Sequence, residues 1–241
     1  MDKPKYKRVL LKVSGEALAG DAGRGHDFPF IHQVCRAIAA CCQLGVEVGL
    51  VVGGGNIWRG LKDGGDKMER SRADQMGMLA TVINSLAVQD VLEQQGQEAR
   101  VLTSFPMGPV AETYSRPAAD RYLKEGKVVI IAGGTGNPYF STDTAAVLRA
   151  AEIGAETLLL AKNIDGVYSA DPKTDPTARR YDRISYSQVL ADQLKVMDLP
   201  ATSLAMENHI PVMIFALADP ENILRAVMGE EIGTIVEEET K

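Results

Sequence analysis

Val46-Glu-Val-Gly-Leu-Val-Val-Gly-Gly-Gly-Asn-Ile-Trp-Arg-Gly60 decides how this chain folds: an apolar, β-branched run empties into three consecutive glycines. A run this apolar reads as a strand buried on both faces, the usual condition of a parallel sheet. The glycines after it let backbone approach a ligand without interference from Cβ atoms. Ligands of open α/β sheets gather there, beyond the carboxyl ends of the strands. The loop carries no carboxylate or cysteine before Arg59, and consecutive backbone N–H groups attract anions, so phosphate is the natural guest. Alone, the stretch could be no more than a tight strand-to-helix turn.

It does not stand alone. Arg8-Val-Leu-Leu-Lys-Val13 reads as a first strand closed by Ser14-Gly15, with Lys12 near its end. A lysine there can snorkel at a sheet edge, or it can reach into the crevice shared with the glycine loop. Gly126-Lys-Val-Val-Ile-Ile-Ala-Gly-Gly-Thr-Gly-Asn-Pro138 repeats the pattern of apolar strand followed by glycines. Strand ends of this kind make a converging phosphate site. Gly53-Gly-Gly-Asn-Ile-Trp58 lacks the Lys-Ser/Thr of a Walker loop, and Gly133-Gly-Thr-Gly-Asn-Pro138 lacks the third glycine of a dinucleotide fingerprint, which disfavours both classes.

Around these motifs the chain alternates strand and helix. Residues 20–25 read as a flexible loop, 30–43 as a helix, and 60–68 as a polar, glycine-rich, mobile cover for the site. Residues 72–94 read as an amphipathic helix with Met76, Leu79, Val82, Ile83, Leu86 and Val91 on one side. Asp74 stands at its start, where a carboxylate usually serves the helix dipole or cap. A strand at 99–103, a loop at 106–109 and a helix at 115–124 follow. The helix beginning near Ser141 has Thr142 or Asp143 as its N-cap. Thr157–Ala161 is another buried strand, and the turn-rich loop from Asn163 to Pro176 reads as a cover for the site. Residues 185–206 read as mostly helical, 211–215 as a strand, 220–228 as a short helix and 233–236 as a last strand. The expectation is one α/β domain over residues 1–241, with two lobes.

Composition narrows the partners. With 45% hydrophobic and 24% charged residues in 241, the chain is an ordinary globular one. A net charge of -6 without a basic, aromatic-interleaved run speaks against nucleic acid. No apolar run reaches the roughly 18 residues of a membrane span, and the opening Met1-Asp-Lys-Pro-Lys-Tyr-Lys-Arg8 leads into a strand, not a signal-peptide core. The expected setting is cytoplasmic, away from membranes. Cys35, Cys41 and Cys42 lack zinc-type spacing and read as buried small hydrophobes. His26, His32 and His209 lie outside the glycine motifs and read as structural.

Six stretches in order carry a resemblance that spans nearly the whole chain. Lys12-Val-Ser-Gly-Glu-Ala-Leu18, Val51-Val-Gly-Gly-Gly-Asn-Ile-Trp-Arg59, Asp74-Gln-Met-Gly-Met-Leu-Ala-Thr81, Gly134-Thr-Gly-Asn-Pro-Tyr-Phe-Ser-Thr-Asp143, Asp165-Gly-Val-Tyr-Ser-Ala-Asp-Pro172 and Leu194-Lys-Val-Met-Asp-Leu199 closely resemble the bacterial uridylate (UMP) kinases, a branch of the amino acid kinase family. The resemblance implies a three-layer α/β/α sandwich around a largely parallel sheet, with an acceptor-binding amino-terminal lobe and an ATP-binding carboxyl-terminal lobe. It implies transfer of the ATP γ-phosphate to UMP in pyrimidine nucleotide synthesis, Mg²⁺ arriving with ATP, no protein-held metal, and a homohexamer with UTP and GTP as possible nucleotide effectors.

It also implies roles. Lys12, Asp143 and Arg59 would be catalytic, the aspartate orienting the lysines and the guanidinium gripping phosphate with its planar fork. ATP would meet Lys12, Val13, Ser14, Gly15, Gly55, Arg59, Lys162 or Asn163, Tyr168 and Asp171. UMP would meet Gly54, Asp74 through its ribose, and Thr135, Gly136, Asn137, Pro138, Tyr139, Phe140, Ser141 and Thr142. Asp198 is a further member without a distinct role. Two stretches depart from relatives: Gly23-Arg-Gly-His26 replaces a Gly-Phe-Gly-Ile-type sequence tied to GTP activation, and Leu160-Ala-Lys-Asn-Ile-Asp165 lacks a lysine at Leu160 and a threonine at Lys162.

Two other readings compete. A kinase of carboxylates or carbamates, of the acetylglutamate type, would leave Arg59 and Asp74 without a phosphate or ribose to hold. A non-catalytic nucleotide sensor or storage protein on the same fold would not need Lys12 and Asp143 to stabilise charge in transfer.

Overall fold

The computed structural model describes residues 3–172, 174–194 and 196–238, with backbone alone at 21, 61, 62 and 66. Met1, Asp2 and Lys195, which belong to the amino-terminal reading and to the sixth motif, lie outside the described residues. In chain order the elements are β1 (Arg8–Val13), α1 (Phe28–Gln43), β2 (Glu47–Val52), α2 (Arg70–Gln94), β3 (Ala99–Thr103), β4 (Glu112–Thr113), α3 (Arg116–Lys124), β5 (Val128–Ala132), α4 (Thr142–Ile153), β6 (Thr157–Lys162), β7 (Val167–Tyr168), β8 (Arg180–Tyr181), β9 (Arg183–Ser185), α5 (Tyr186–Ala191), α6 (Leu199–Glu207), β10 (Val212–Ala216), α7 (Asn222–Val227) and β11 (Thr234–Glu237).

A nine-stranded sheet runs in the order β4-β3-β5-β2-β1-β6-β10-β11-β9. Every pairing is parallel except β10 with β11. Successive side chains of a strand point to opposite faces, and the core divides accordingly. Leu11, Leu50, Ile130 and Leu159 pack on one face with Ile38 of α1, Val88 and Leu92 of α2, and Ile223 and Val227 of α7. Leu10, Val51, Ile131 and Leu160 pack on the other with Leu123 of α3, Val147 of α4, Val189 of α5 and Ala201 of α6. The result is the expected α/β/α sandwich. β1 lies at its centre, flanked by β2 on one side and β6 on the other, so the strand order reverses beside Lys12 and leaves a crevice at its carboxyl end.

Three local readings are corrected, and the stretch read as a polar cover gains a conformation. Of the stretch 20–25 read as loop, residues 20–22 end a short 3₁₀ segment that begins at Gly15, where Ser14 Oγ accepts from Ala17 N at 3.4 Å, and that breaks helical geometry at Gly20; residues 23–25 are irregular as expected. Residues 60–67 wind into short helical turns. The N-cap of α4 is Ser141, whose Oγ accepts from Asp143 N at 3.0 Å and Thr144 N at 3.1 Å, so neither Thr142 nor Asp143 caps it. A hydroxyl one residue earlier reaches the first free amides and releases the carboxylate for other contacts.

α2 departs most. It starts at Arg70 behind Glu69, so Asp74 lies in its second turn and not at its end. Its buried face holds Ala73, Ala80, Thr81, Asn84 and Ser85 besides Val82, Val88, Val91 and Leu92, while Met76, Leu79, Ile83 and Leu86 are 36–49% exposed. Small and amide residues face inward because the helix lies against a glycine loop. An ideal Cβ on Gly54 would stand 2.9 Å from Ala80 Cβ and from Gly77 O.

Candidate active site

The crevice is built on two glycine turns packed back to back. Gly53 N donates to Val13 O at 2.9 Å, and a Cβ on Gly15 would sit 2.4 Å from Gly53 O. Such closeness admits no side chain and leaves backbone facing the crevice. Beneath it, Asn84 Nδ2 donates to Gly53 O at 2.6 Å and to Asn56 Oδ1 at 2.7 Å, and Asn56 Nδ2 donates to Gly25 O at 2.7 Å. His26 Nε2 meets Asn84 Oδ1 at 2.8 Å. These buried amides satisfy the loop's carbonyls where water is excluded. The reading of His26 as structural fits this position.

A cavity of about 290 Å³ opens beside the loop, lined by Gly54, Gly55, Arg59, Asp74, Gly134, Thr135, Asn137, Phe140, Ser141 and Thr142, together with Trp58, Gly60, Gly77, Met78 and Thr81. Motifs up to 88 positions apart, Gly54 and Thr142, thus meet at one place. Gly136, Pro138 and Tyr139 do not line it, although Tyr139 N donates to Asp74 Oδ2 at 2.8 Å. That oxygen also accepts from Arg70 Nε at 2.8 Å. The guanidinium of Arg59 ion-pairs with Glu16, and its Nε donates to Gly55 O at 3.1 Å.

At the N-terminal turn of α4, Asp143 stands between two ammonium groups. Lys12 Nζ lies 2.7 Å from Oδ1, an ion pair that misses hydrogen-bond alignment, and Lys162 Nζ donates to Oδ2 at 3.0 Å and to Val196 O at 2.6 Å. Burial pushes the Asp143 pKa up, but Lys12 and then Lys162 outweigh it and hold the group at about 2. Lys12 is itself buried. None of the three lines the cavity itself, but Asp143 directly follows Thr142, which does, and two cations and one anion leave a net positive charge there, held in place by the carboxylate between them.

The remaining expected residues spread out. Asn163 is exposed just beyond β6. Tyr168 stands on the β7–β8 ribbon, its hydroxyl donating to Asp165 Oδ1 at 2.9 Å, and the Asp171 carbonyl accepts from Asp175 N at 2.8 Å in the following turn. Neither lines the cavity. Asp198 caps α6 and accepts from Thr144 Oγ1 at 2.9 Å, which ties α6 to α4. Sequence reading missed Thr81, whose Oγ1 accepts from Gly133 N at 2.8 Å. Its signal was the small-residue spacing Gly77, Ala80, Thr81 on a helix that also carries Asp74. Among the described residues, no three His, Cys, Asp or Glu side chains group to hold a metal ion.

Glycine turns at a sheet switch point, with paired lysines bridged by a carboxylate, define an α/β protein whose crevice suits anions and carries no Walker loop. The model of the amino acid kinase family matches residues 7–216, and the chain belongs to that family. It is similar to the solved UMP kinase of Bacillus anthracis, at 38% identity and TM-score 0.94, covering 98% of this chain and 97% of that one. The UMP kinase of Ureaplasma parvum is 35% identical with TM-score 0.92, covering 99% and 100%. The uridylate kinase of Archaeoglobus fulgidus is 29% identical with TM-score 0.75, covering 95% and 99%.

Proposed function

We propose that the chain transfers the γ-phosphoryl group of MgATP to UMP, giving ADP and UDP. The observation that carries this reading is Asp143 holding Lys12 and Lys162 beside a glycine-lined cavity that also contains Arg59 and Asp74. A phosphate monoester has a second pKa of about 6, so UMP is already an anionic nucleophile near neutrality. No proton acceptor is needed, which suits a cavity without histidine.

What the reaction does need is cancellation of charge as two anionic phosphates approach in line. Lys12 would hold the donor phosphates and the transferred group, with Lys162 beside it and Mg²⁺ brought by ATP. The N–H groups of Gly15 and Gly53–Gly55 would cradle phosphates of both substrates. Arg59 would exchange Glu16 for the acceptor phosphate. Asp74 would keep Oδ2 on Arg70 and Tyr139 N and take ribose hydroxyls with Oδ1. Thr135 to Thr142 would surround the uracil, whose O4 acceptor and N3 donor are reversed in cytosine. In this reading residues 1–241 form one domain, acceptor on the amino-terminal side and ATP on the carboxyl-terminal side near Tyr168 and Asp171.

The same reading includes a cytoplasmic setting and self-association, the latter supported by the exposed apolar stripe of α2. The deciding assay is ADP release with MgATP and UMP, CMP or an acylated amino acid as acceptor. Turnover with UMP well above CMP is expected. Equal turnover with CMP overturns the uracil argument, and no turnover with any acceptor overturns the kinase.

A further inference from the structure

Arg149 is 6% exposed, near the middle of α4, and nothing in the proposed chemistry uses it. Burying a guanidinium is costly unless partners surround it. Its Nη1 pairs with Glu152 Oε2 at 2.6 Å, and its Cζ lies over the Tyr114 ring, 4.1 Å from the centroid. Nε is buried with no partner among the described residues. Nη2 donates to Ser104 Oγ at 3.0 Å, and that oxygen lies 2.7 Å from Gly134 O and 3.2 Å from Ala132 O.

The direction of these bonds is forced. A guanidinium only donates and a hydroxyl has one proton, so Ser104 accepts from Arg149 and turns its proton to a carbonyl, the nearer being that of Gly134. The Gly134–Thr135 peptide is trans. Its carbonyl and N–H therefore point opposite ways, and a carbonyl drawn toward Ser104 turns the Thr135 N–H away from Ser104, which is not among the residues lining the cavity, whereas Gly134 and Thr135 are. Gly133 and Gly134 have φ of 82° and 60°, a region glycine enters and leaves at little cost. The peptide needs an outside hold, and Ser104 supplies one. Gly136 rests on the same floor, where a Cβ would lie 3.1 Å from Ser104 O.

We infer that Arg149 is a positioning residue: through Ser104 it fixes the Gly134–Thr135 peptide so that the Thr135 N–H is offered to an oxygen of the acceptor nucleotide. The inference rests on the cavity being the UMP site.

The test uses Ser104→Ala, Arg149→Met and Arg149→Lys in the full chain, with steady-state kinetics for both substrates and amide hydrogen exchange of residues 133–137 without ligand. Ser104→Ala and Arg149→Met should each raise the KM for UMP on the order of 10-fold, the loss of one charge-assisted hydrogen bond, with the KM for ATP and kcat within about twofold. The double variant should be no worse than the poorer single one, because both break one chain of bonds. Arg149→Lys should recover part of the loss. Exchange at the turn should quicken in Ser104→Ala and Arg149→Met while β5 keeps its protection. Unchanged exchange at the turn, an unchanged KM for UMP, or parallel losses in kcat and both KM values overturns the positioning role. If Arg149→Met does not fold, Ser104→Ala decides alone. A wild type inactive on UMP defeats the acceptor reading instead, and exchange at the turn still judges the relay.

Discussion

Lys12 and Asp143 face each other at 2.7 Å across the carboxyl end of the central strand, both largely buried. Neither charge is stable there alone, since a buried unpaired ion is expelled or neutralised. Together they hold an ammonium group at a fixed point where phosphate charge would accumulate. Lys12→Ala should therefore lower kcat on the order of 10²-fold or more, as loss of a preorganised electrostatic group does. The KM for UMP should move far less. Initial-rate kinetics with both substrates varied checks this, and an undiminished kcat would remove Lys12 from the reaction.

The same pair sets an acid limit. The folded-state pKa of Asp143 is lowered from 3.8 to about 2, burial opposing the shift and Lys12 and Lys162 producing it. A depressed carboxylate contributes stability that is full above its unfolded value and lost as pH falls through its folded value. The contribution is on the order of 2 kcal/mol, present near neutrality and lost between about pH 4 and pH 2. Asp143→Asn should be less stable than wild type at pH 7, with the gap narrowing over that window. Thermal melts across pH 2–7 test it; a constant gap would contradict the ionic account.

Gly15 leaves no room for a side chain. Its Cβ would lie 2.4 Å from Gly53 O, which is backbone and cannot rotate aside. Gly15→Ala should part the two glycine turns, costing about 1–3 kcal/mol as other overpacking does. For a chain of this length each kcal/mol lowers Tm by about 2–4 °C. Calorimetry should show that loss together with weakened ATP and UMP binding, whereas Gly23→Ala, with open space around it, should bind both normally despite a modest backbone cost.

Asp74 divides its two oxygens. Oδ2 holds Arg70 and the Tyr139 amide, which keeps Tyr139 at a φ of 71° over the cavity's edge. Asp74→Ala should raise the KM for UMP on the order of 10-fold or more, with a smaller change in kcat. A normal KM would return Asp74 to a purely structural part.

Much of the fold is legible in the sequence. Runs such as Val128–Ala132 are apolar on both faces because helices cover both faces, so the longer strands are legible in composition, whereas β4, β7, β8 and β9, only two or three residues long, leave no such mark. Gly54 is marked by its own glycine run, whereas Asp74 and Thr135 are singled out only by the family resemblance, since Asp74 alone reads as a dipole partner or cap. Arg149 and Ser104 are marked by neither: each reads as ordinary helix or strand-end residue, and only packing brings them under Gly134. The inward face of α2 differs from its apolar periodicity for a related reason. Periodicity reports where apolar residues stand, whereas what α2 meets inward is a glycine turn that selects Ala80, Thr81 and Asn84.

Met76, Leu79, Ile83 and Leu86 recur at intervals of three and four residues along α2, so they share one stripe. All four are exposed, and a contiguous apolar stripe on a helix beside a ligand cavity is costly to leave in water. Covering it with a second copy would bury the stripes against each other in a twofold contact. Sedimentation or light scattering should find wild type as an oligomer and Leu79→Glu/Ile83→Glu in a smaller state, with the fold retained because neither side chain enters the core. Because α2 also carries Asp74 and the residues against Gly54, the smaller state should bind UMP more weakly. An unchanged mass for the double variant would place the self-association surface elsewhere, and a monomeric wild type would leave the stripe without a role in assembly.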